Sequence, residues 1–342
     1  SRDLCSLTDS TRRMRRSMPR MRSSRPESRR ATRTTETESC DVAASERTQR
    51  LATLGASVHV GHGPDHLDSV DVLVVSSAVS ADSPEVVAAS DRRIPVARRA
   101  EMLAELMRSR RGIAVAGTHG KTTTTALVGH LLIAAGSDPT VIVGGRAHGL
   151  GAHARCGRGP ILVCEADEFD RSFLELQPEV AVITNLEREH LDCYGDEREL
   201  AQAFVAFANR ASVFGVVVLC ADDPGANSLR PAIRRRTVTY GSASDADLRF
   251  EVATADAAGT DFRVTRDRQE LGAVHLRLPG LFNVRNAMAA VAVGLELGHE
   301  FSVLADACSQ FTGVARRFHL RGERAGVTVV DDYAHHPTEI EA

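Results

Sequence analysis

A chain of 342 residues, 43% hydrophobic and 25% charged with a formal net charge of −3, is long enough for two or three domains with sizeable cores, and its composition is that of an ordinary globular protein. Its longest apolar run, VFGVVVLCA over 213–221, falls far short of the roughly 20 residues a membrane-spanning helix needs. The seven cysteines, at 5, 40, 156, 164, 193, 220 and 308, form no CxxC pair and no repeated spacing. They read as thiols of a reducing compartment, not as a disulfide framework or zinc site, and the expected location is the cytoplasm.

Residues 1–40 hold eleven Arg against five Asp or Glu. A basic arm of this kind can bind nucleic acid or a membrane surface, and an Arg- and Ser-rich leader can be a transit peptide. The stretch has neither a sustained apolar face nor interleaved aromatics, so it reads as a disordered or aberrant segment, with no nucleic-acid and no membrane partner. Patterning begins near Asp41. ERTQRLATLGA (46–56) is helix-like, ASVHVGH (56–62) and VDVLVVSSAV (70–79) are strand-like, and PEVVAAS (84–90) and RRAEMLAELMRSR (98–110) are helix-like again. Residues 41–109 are therefore expected to form a partial Rossmann-like domain.

From Gly112 the alternation strengthens. GIAVAG, TVIVGG, PILVCEAD, EVAVITN and GVVVLC read as buried strands, separated by helices at KTTTTALVGHLLIAAG (121–136) and LAQAFVAFANRA (200–211). Strands alternating with helices imply a parallel sheet covered on both faces. TVTYG, DLRFEVA, TDFRVTR and AVHLRLPG, within 237–279, read as a small antiparallel extension; two helices follow at 283–298 and 302–311. The expected fold is α/β: a central P-loop ATPase domain over 110–314, with 315–342 starting a further α/β domain.

The phosphate-binding signal is VAGTHGKTTTT, residues 115–125, which contains Lys121, the one lysine among 42 basic residues. A strand, a glycine-bearing turn and a helix starting at Lys121 aim backbone N–H groups and a helix dipole at an anion. Gly117 and Gly120 permit close backbone approach, Lys121 offers a compact point charge that an arginine fork cannot replace, and the Thr122 hydroxyl suits Mg²⁺. The strict GxxxxGK[ST] pattern wants glycine at Val115, so what stands here is the shorter GTHGKT form. Three polar clusters follow other strands, where an open α/β sheet gathers ligands. They are EADEFDRSF with Glu165, Asp167, Glu168 and Asp170; TNLEREHLDCYG with Asn185, Glu187, His190 and Asp192; and DDYAHHPTE with Asp331, Asp332, His335 and His336. Adjacent histidines do not share a helix face, so at most one of the last pair is expected in a site.

Together the strings RRAEMLAELMRSRRGIAVAGTHGKTTTT, EADEFDRSFLELQPEVAVITNLEREHLDCYG, LPGLFNVRNAMAA, GVARRF and DDYAHHPTE, in this order across 41–342, resemble the Mur ligase family. The resemblance implies an ATP- and Mg²⁺-dependent ligase of peptidoglycan synthesis. Such an enzyme phosphorylates the carboxylate of UDP-N-acetylmuramate, and the amine of L-alanine then attacks the acyl phosphate. By family match Lys121, Glu165 and His190 are the expected catalytic residues. Lys121 would hold the β and γ phosphates within a loop of Gly117, Thr118, His119, Gly120, Thr122 and Thr123. Thr122 and Glu165 would hold one Mg²⁺ and His190 a second, Asn283 and Asn286 would contact the adenine region, and Arg316 or Arg317 the phosphates. Some relatives hold the second metal with a carbamylated lysine, which a chain whose one lysine is Lys121 cannot do.

Two alternatives stay open within the family: a ligase that recycles murein tripeptide onto UDP-N-acetylmuramate, and a fragment that binds nucleotide without ligating. The family's GxGGxGM turn has no counterpart in residues 1–40, as translation in a shifted reading frame of a GC-rich gene would leave it, and relatives continue past DDYAHHPTE, so a truncated final domain is expected. Phe282 replaces a usual histidine, and GAHAR has Ala152 and His153 where GTNAR is usual.

Overall fold

The computed structural model describes residues 37–41, 43–147, 152–189, 193–324, 326–334 and 336–341, in two compact units divided after Val70. The expected disorder of the leading basic segment concerns residues that lie, up to 36, outside this range. In the first unit β1 (Glu38–Asp41) pairs in parallel with β2 (Ser57–Val60), with α1 (Glu46–Thr53) crossing between them. Ser45 caps α1 by accepting the Thr48 amide at 3.2 Å, and Gly55, at φ +93°, turns the chain into β2. Strand geometry thus starts at Glu38, inside the stretch expected to be unpatterned. The sequence ESCD carries little β propensity, and pairing with Ser57–Val60 overrides it.

The second unit opens with β3 (Leu73–Val75) paired in parallel with β4 (Val96–Arg98), joined by α2 (Pro84–Asp91); α3 (Arg99–Arg108) follows. Next comes a ten-stranded sheet in the order β14-β13-β12-β11-β10-β9-β5-β8-β6-β7. Its strands are β5 (Arg111–Ala116), β6 (Thr140–Ala147), β7 (Ala152–Arg155), β8 (Ile161–Glu165), β9 (Val180–Ile183), β10 (Val216–Cys220), β11 (Thr237–Gly241), β12 (Leu248–Asp256), β13 (Gly259–Arg266) and β14 (Gln269–Leu276). The helices of the sheet are α4 (Lys121–Ala134), α5 (Glu197–Asn209), α6 (Pro224–Ser228), α7 (Leu281–Glu296) and α8 (Phe301–Gln310). The chain then forms an antiparallel hairpin of β15 (His319–Arg324) and β16 (Val327–Asp331), and a last short helix, α9 (Pro337–Glu341).

Pairing is parallel from β6 through β12, with antiparallel neighbours only at the edges, β7 on one side and β13–β14 on the other. TVTYG (β11) was expected in the antiparallel extension and instead continues the parallel sheet. The helical crossover at 224–228 returns the chain over the sheet after β10, and such a crossover delivers a parallel strand. The antiparallel meander starts one strand later, at β12.

β5 sits at the middle with both faces covered. Ile113 and Val115 pack with Leu127, Leu131, Val284 and Met288 of α4 and α7 on one face, while Ala114 and Ala116 pack with Phe204 and Phe207 of α5 on the other. This two-sided burial explains why the strand reads as a continuous apolar run instead of an alternating one. Helix α4 is buried from Thr122 to Gly129, which fixes its backbone against the sheet. Among the described residues no helix is long and apolar enough to cross a membrane.

Candidate functional site

The carboxyl ends of β5, β8, β9 and β10 meet at one edge of the sheet, and β5 lies between β8 and β9, the position where open α/β sheets bind ligands. The chain leaves β5 through Gly117, at φ +141°, and enters α4 through Gly120, at φ +78°. Neither tolerates a side chain: a Cβ on Gly117 would strike the Thr184 hydroxyl, and one on Gly120 would strike the Asn286 carboxamide. The turn is braced from β9. Asn185 accepts the His119 amide at 2.7 Å and donates to the His119 carbonyl at 3.0 Å, and Thr184 donates to the same carbonyl at 2.7 Å. The Thr118 hydroxyl accepts the Glu187 amide at 2.9 Å.

Lys121 is half-shielded at the first position of α4. Its ammonium donates to the Gly117 carbonyl at 2.7 Å, to the Thr118 carbonyl at 3.2 Å and to Glu168 Oε1 at 2.8 Å. Burial pushes the Glu168 carboxyl up from its ordinary value, and Lys121 draws it back. The next residue, Thr122, donates to Glu165 Oε2 at 3.2 Å, and the Gly144 amide donates to Glu165 Oε1. Burial also raises Glu165, against the opposing pull of the Gly144 amide and Lys121. A hydroxyl and a carboxylate beside a glycine turn form the hard oxygen donor set that Mg²⁺ takes, and turn amides at a helix start suit phosphate. The residues present therefore fit a Mg²⁺–nucleotide.

A cavity of about 210 Å³ adjoins the turn, lined by His119, Gly120, Thr122 and Thr123 together with Tyr240, Phe282, Asn283, Arg285, Asn286 and Arg317. Asn283 and Asn286 are buried in the first turns of α7; the Asn283 amide donates to the Pro279 carbonyl at 2.7 Å, and Asn286 Oδ1 accepts the Thr124 hydroxyl at 3.1 Å. Asp222 lies at the end of β10 and meets Arg285 Nε at 3.1 Å. Burial pushes Asp222 up, but the amides of Ser242 and Ala243 and the guanidinium of Arg285 outweigh it and leave the acid below its ordinary value.

The segment after α8 closes the far wall. Helix α9 brings Glu339 to His119 Nδ1 at 3.2 Å and Thr338 to Glu187 Oε2 at 2.7 Å, and Arg317 approaches Glu339 at 3.5 Å. Burial lowers the His119 pKa, yet the carboxylates of Glu339 and Glu187 reverse this and hold it above its ordinary value.

Of the residues singled out in the sequence, Gly117, Thr118, His119, Gly120, Lys121, Thr122, Thr123 and Glu165 come together at the turn, and Asn283, Asn286 and Arg317 line the adjoining cavity. Arg316 does not line it; its guanidinium lies over the Tyr333 ring, 4.7 Å from the centroid. His190 and His335 lie outside the described residues, while His336 stands near the turn, 3.6 Å from Glu187. Sequence reasoning passed over Asp222, Arg285 and Glu339. Asp222 stands two residues past the end of the strand GVVVLC, so the rule that picked out the other strand-end clusters would have found it.

The family model of the Mur ligase middle domain matches residues 115–294, and that of the Mur ligase catalytic domain matches 31–111. The chain belongs to the Mur ligase family. It is 48% identical over 303 residues to the UDP-N-acetylmuramate–L-alanine ligase of Pelobacter propionicus, covering 88% of this chain and 66% of that relative. Its fold matches the UDP-N-acetylmuramate-alanine ligase MurC of Thermotoga maritima with a TM-score of 0.77 at 32% identity, covering 89% of this chain and 69% of the other. A murein peptide ligase of Psychrobacter arcticus matches with a TM-score of 0.75 at 26% identity, again covering 89% and 69%. Two departures from the usual Mur ligase pattern fall at the site: Phe282 lines the cavity, and His153 Nδ1 lies 3.2 Å from the Gly144 carbonyl, on the residue whose amide holds Glu165.

Proposed function

We propose that this Mur ligase joins L-alanine to UDP-N-acetylmuramate at the expense of ATP, in the cytoplasm, as a step of peptidoglycan synthesis. The observation that carries the reading is the Gly117–Lys121 turn with the Thr122–Glu165 pair beside it, in a chain 48% identical over 303 residues to a protein so named. Mg²⁺–ATP would supply the phosphoryl group that activates the muramoyl carboxylate as an acyl phosphate, and attack of the L-alanine amine on its acyl carbon would form the amide and release phosphate.

The chain's own residues do the positioning and the charge neutralisation on which phosphoryl transfer depends. The amides from Gly117 to Thr122 cradle the phosphates, and Lys121 turns from Glu168 toward them. Thr122 and Glu165 would hold Mg²⁺, whose charge would offset the burial that raises the Glu165 carboxyl. His190 serves a second metal, Asn283 and Asn286 seat the base, and Arg317 faces the phosphates from the hinge; Arg316, stacked on Tyr333, supports the segment that carries Arg317.

The chain spans 66% of the length of the first of these relatives; the competing readings are the recycling ligase and nucleotide binding without ligation. Incubation with Mg²⁺–ATP, UDP-N-acetylmuramate and L-alanine, read by mass spectrometry for the alanyl product, decides between them. Product with alanine supports the ligase. Product with murein tripeptide alone moves the reading to the recycling ligase. ATP bound without any amide product leaves the nucleotide-binding reading.

A further inference from the structure

His119, Glu187 and His336 come from three separate segments: the turn after β5, the loop after β9, and the residue before α9. Their ligating atoms all lie within 4.8 Å of one another. His119 Nε2 is 3.4 Å from Glu187 Oε2, and His336 Nδ1 is 3.6 Å from the same oxygen. The two imidazoles are 4.7 Å apart between centroids and inclined by 45°, so they converge on that oxygen without stacking. A four-coordinate ion with ligands at about 2.0–2.1 Å separates its donors by roughly 3.4 Å, the edge of the tetrahedron. The two closest donor pairs are already at that spacing.

The surroundings point the same way. His119 Nδ1 faces Glu339 Oε1 at 3.2 Å, the carboxylate–histidine arrangement that fixes a ligand's tautomer and leaves Nε2 as a lone-pair donor. The Thr338 hydroxyl donates to Glu187 Oε2 at 2.7 Å and orients the carboxylate. The Thr338 amide meets His336 Nδ1 only at 3.4 Å, a long contact that a metal would displace. None of the three side chains is fully exposed, at 13%, 28% and 22%, and two of them, His119 and Glu187, also line the adjoining cavity.

We infer that His119, Glu187 and His336 form a binding site for a borderline divalent cation of the Zn²⁺ class, separate from the all-oxygen Thr122–Glu165 pair. Two imidazoles and a carboxylate are the donor set of three-ligand zinc sites, whereas Mg²⁺ selects oxygen ligands and dehydrates reluctantly. An ion held here ties the residues at 336–341 to the phosphate turn, since His119 belongs to one and His336 to the other.

The test uses tag-free, chelator-stripped protein with no nucleotide, so its failure leaves the ligase reading untouched. Titration with Zn²⁺ by calorimetry is expected to give one ion per chain, and Co²⁺ to give the visible absorption of a tetrahedral site. His336→Ala and Glu187→Gln should each weaken Zn²⁺ at least about 10-fold, and Glu339→Gln, which removes the orienting carboxylate, by about 10–100-fold. His275→Ala, at an exposed pair with Asp261 on β13 and β14, should change nothing and controls for surface histidines. Unaltered affinity in His336→Ala, the absence of stoichiometric uptake, or displacement of the ion by millimolar Mg²⁺ overturns the inference.

Discussion

Replacing Lys121 by methionine keeps the aliphatic stem and removes the ammonium that faces Glu168 Oε1 at 2.8 Å. The Glu168 side chain is 2% exposed, so water cannot take over the lost interaction, and removing one partner of such a pair costs about 3–5 kcal/mol. The cost depends on pH in a defined direction. Burial already raises the Glu168 carboxyl and Lys121 is the chief restraint on it, so in the variant its pKa climbs further. A native-state acid with a raised pKa holds more protons than the unfolded chain, and stability falls as pH rises from the unfolded value, about 4.3, through the raised native value. The loss in Lys121→Met is therefore largest at pH 8 and shrinks toward pH 5. Urea denaturation of the native chain, Lys121→Met, Glu168→Gln and the double variant measures it, and the double variant should recover much of the loss because no buried charge is left unpaired. A loss below about 1 kcal/mol at pH 8, the range of an exposed pair, or one that does not shrink at pH 5, would refute the reasoning.

Gly120→Ala forces a side chain onto φ +78° and into the Asn286 carboxamide; a stability loss of about 1–3 kcal/mol in urea and weaker nucleotide binding are expected. Glu165→Gln should behave oppositely on the two readouts. Burial raises the Glu165 carboxyl, so deleting its charge should leave the urea midpoint unchanged or higher, while steady-state turnover with Mg²⁺–ATP falls by roughly 100-fold. His119 has a raised native pKa, so its contribution is fully present below its unfolded value near 6.5 and is lost as pH rises through the native value. Glu339→Gln should flatten that part of the pH–stability profile, measured as the difference in urea midpoint between pH 6 and pH 8.5.

The sequence was most legible where local pattern and tertiary demand agree. β5 is a buried run, Gly117 and Gly120 mark the turn, and α4 starts at Lys121; each needs only its neighbours to be recognised. β1, β4 and β7 were missed because ESCD, VAR and AHAR carry weak strand propensity and owe their conformation to ladders with β2, β3 and β6. TVTYG was recognised as a strand, but its direction is set by the crossover before it, not by its own residues. At the site, Lys121, Thr122 and Glu165 were within reach because each sits at a strand end or helix start. The pairing of Lys121 with Glu168, and of His119 with Glu339, joins residues whose sequence spacing carries no signal. Arg316 and Arg317 are adjacent in sequence, and only the backbone turn at Arg316, φ +62°, separates their directions.

The central claim is that the Gly117–Lys121 turn holds the phosphates of a nucleotide beside the Thr122–Glu165 pair. Equilibrium titration of the chain with Mg²⁺–ATP tests it most directly, with Lys121→Met titrated at a pH where its urea curve shows it folded. One nucleotide per chain, with affinity that depends on Mg²⁺ and falls at least about 10-fold in the variant, is the predicted result. No binding by the native chain, or equal affinity in Lys121→Met, would contradict the account.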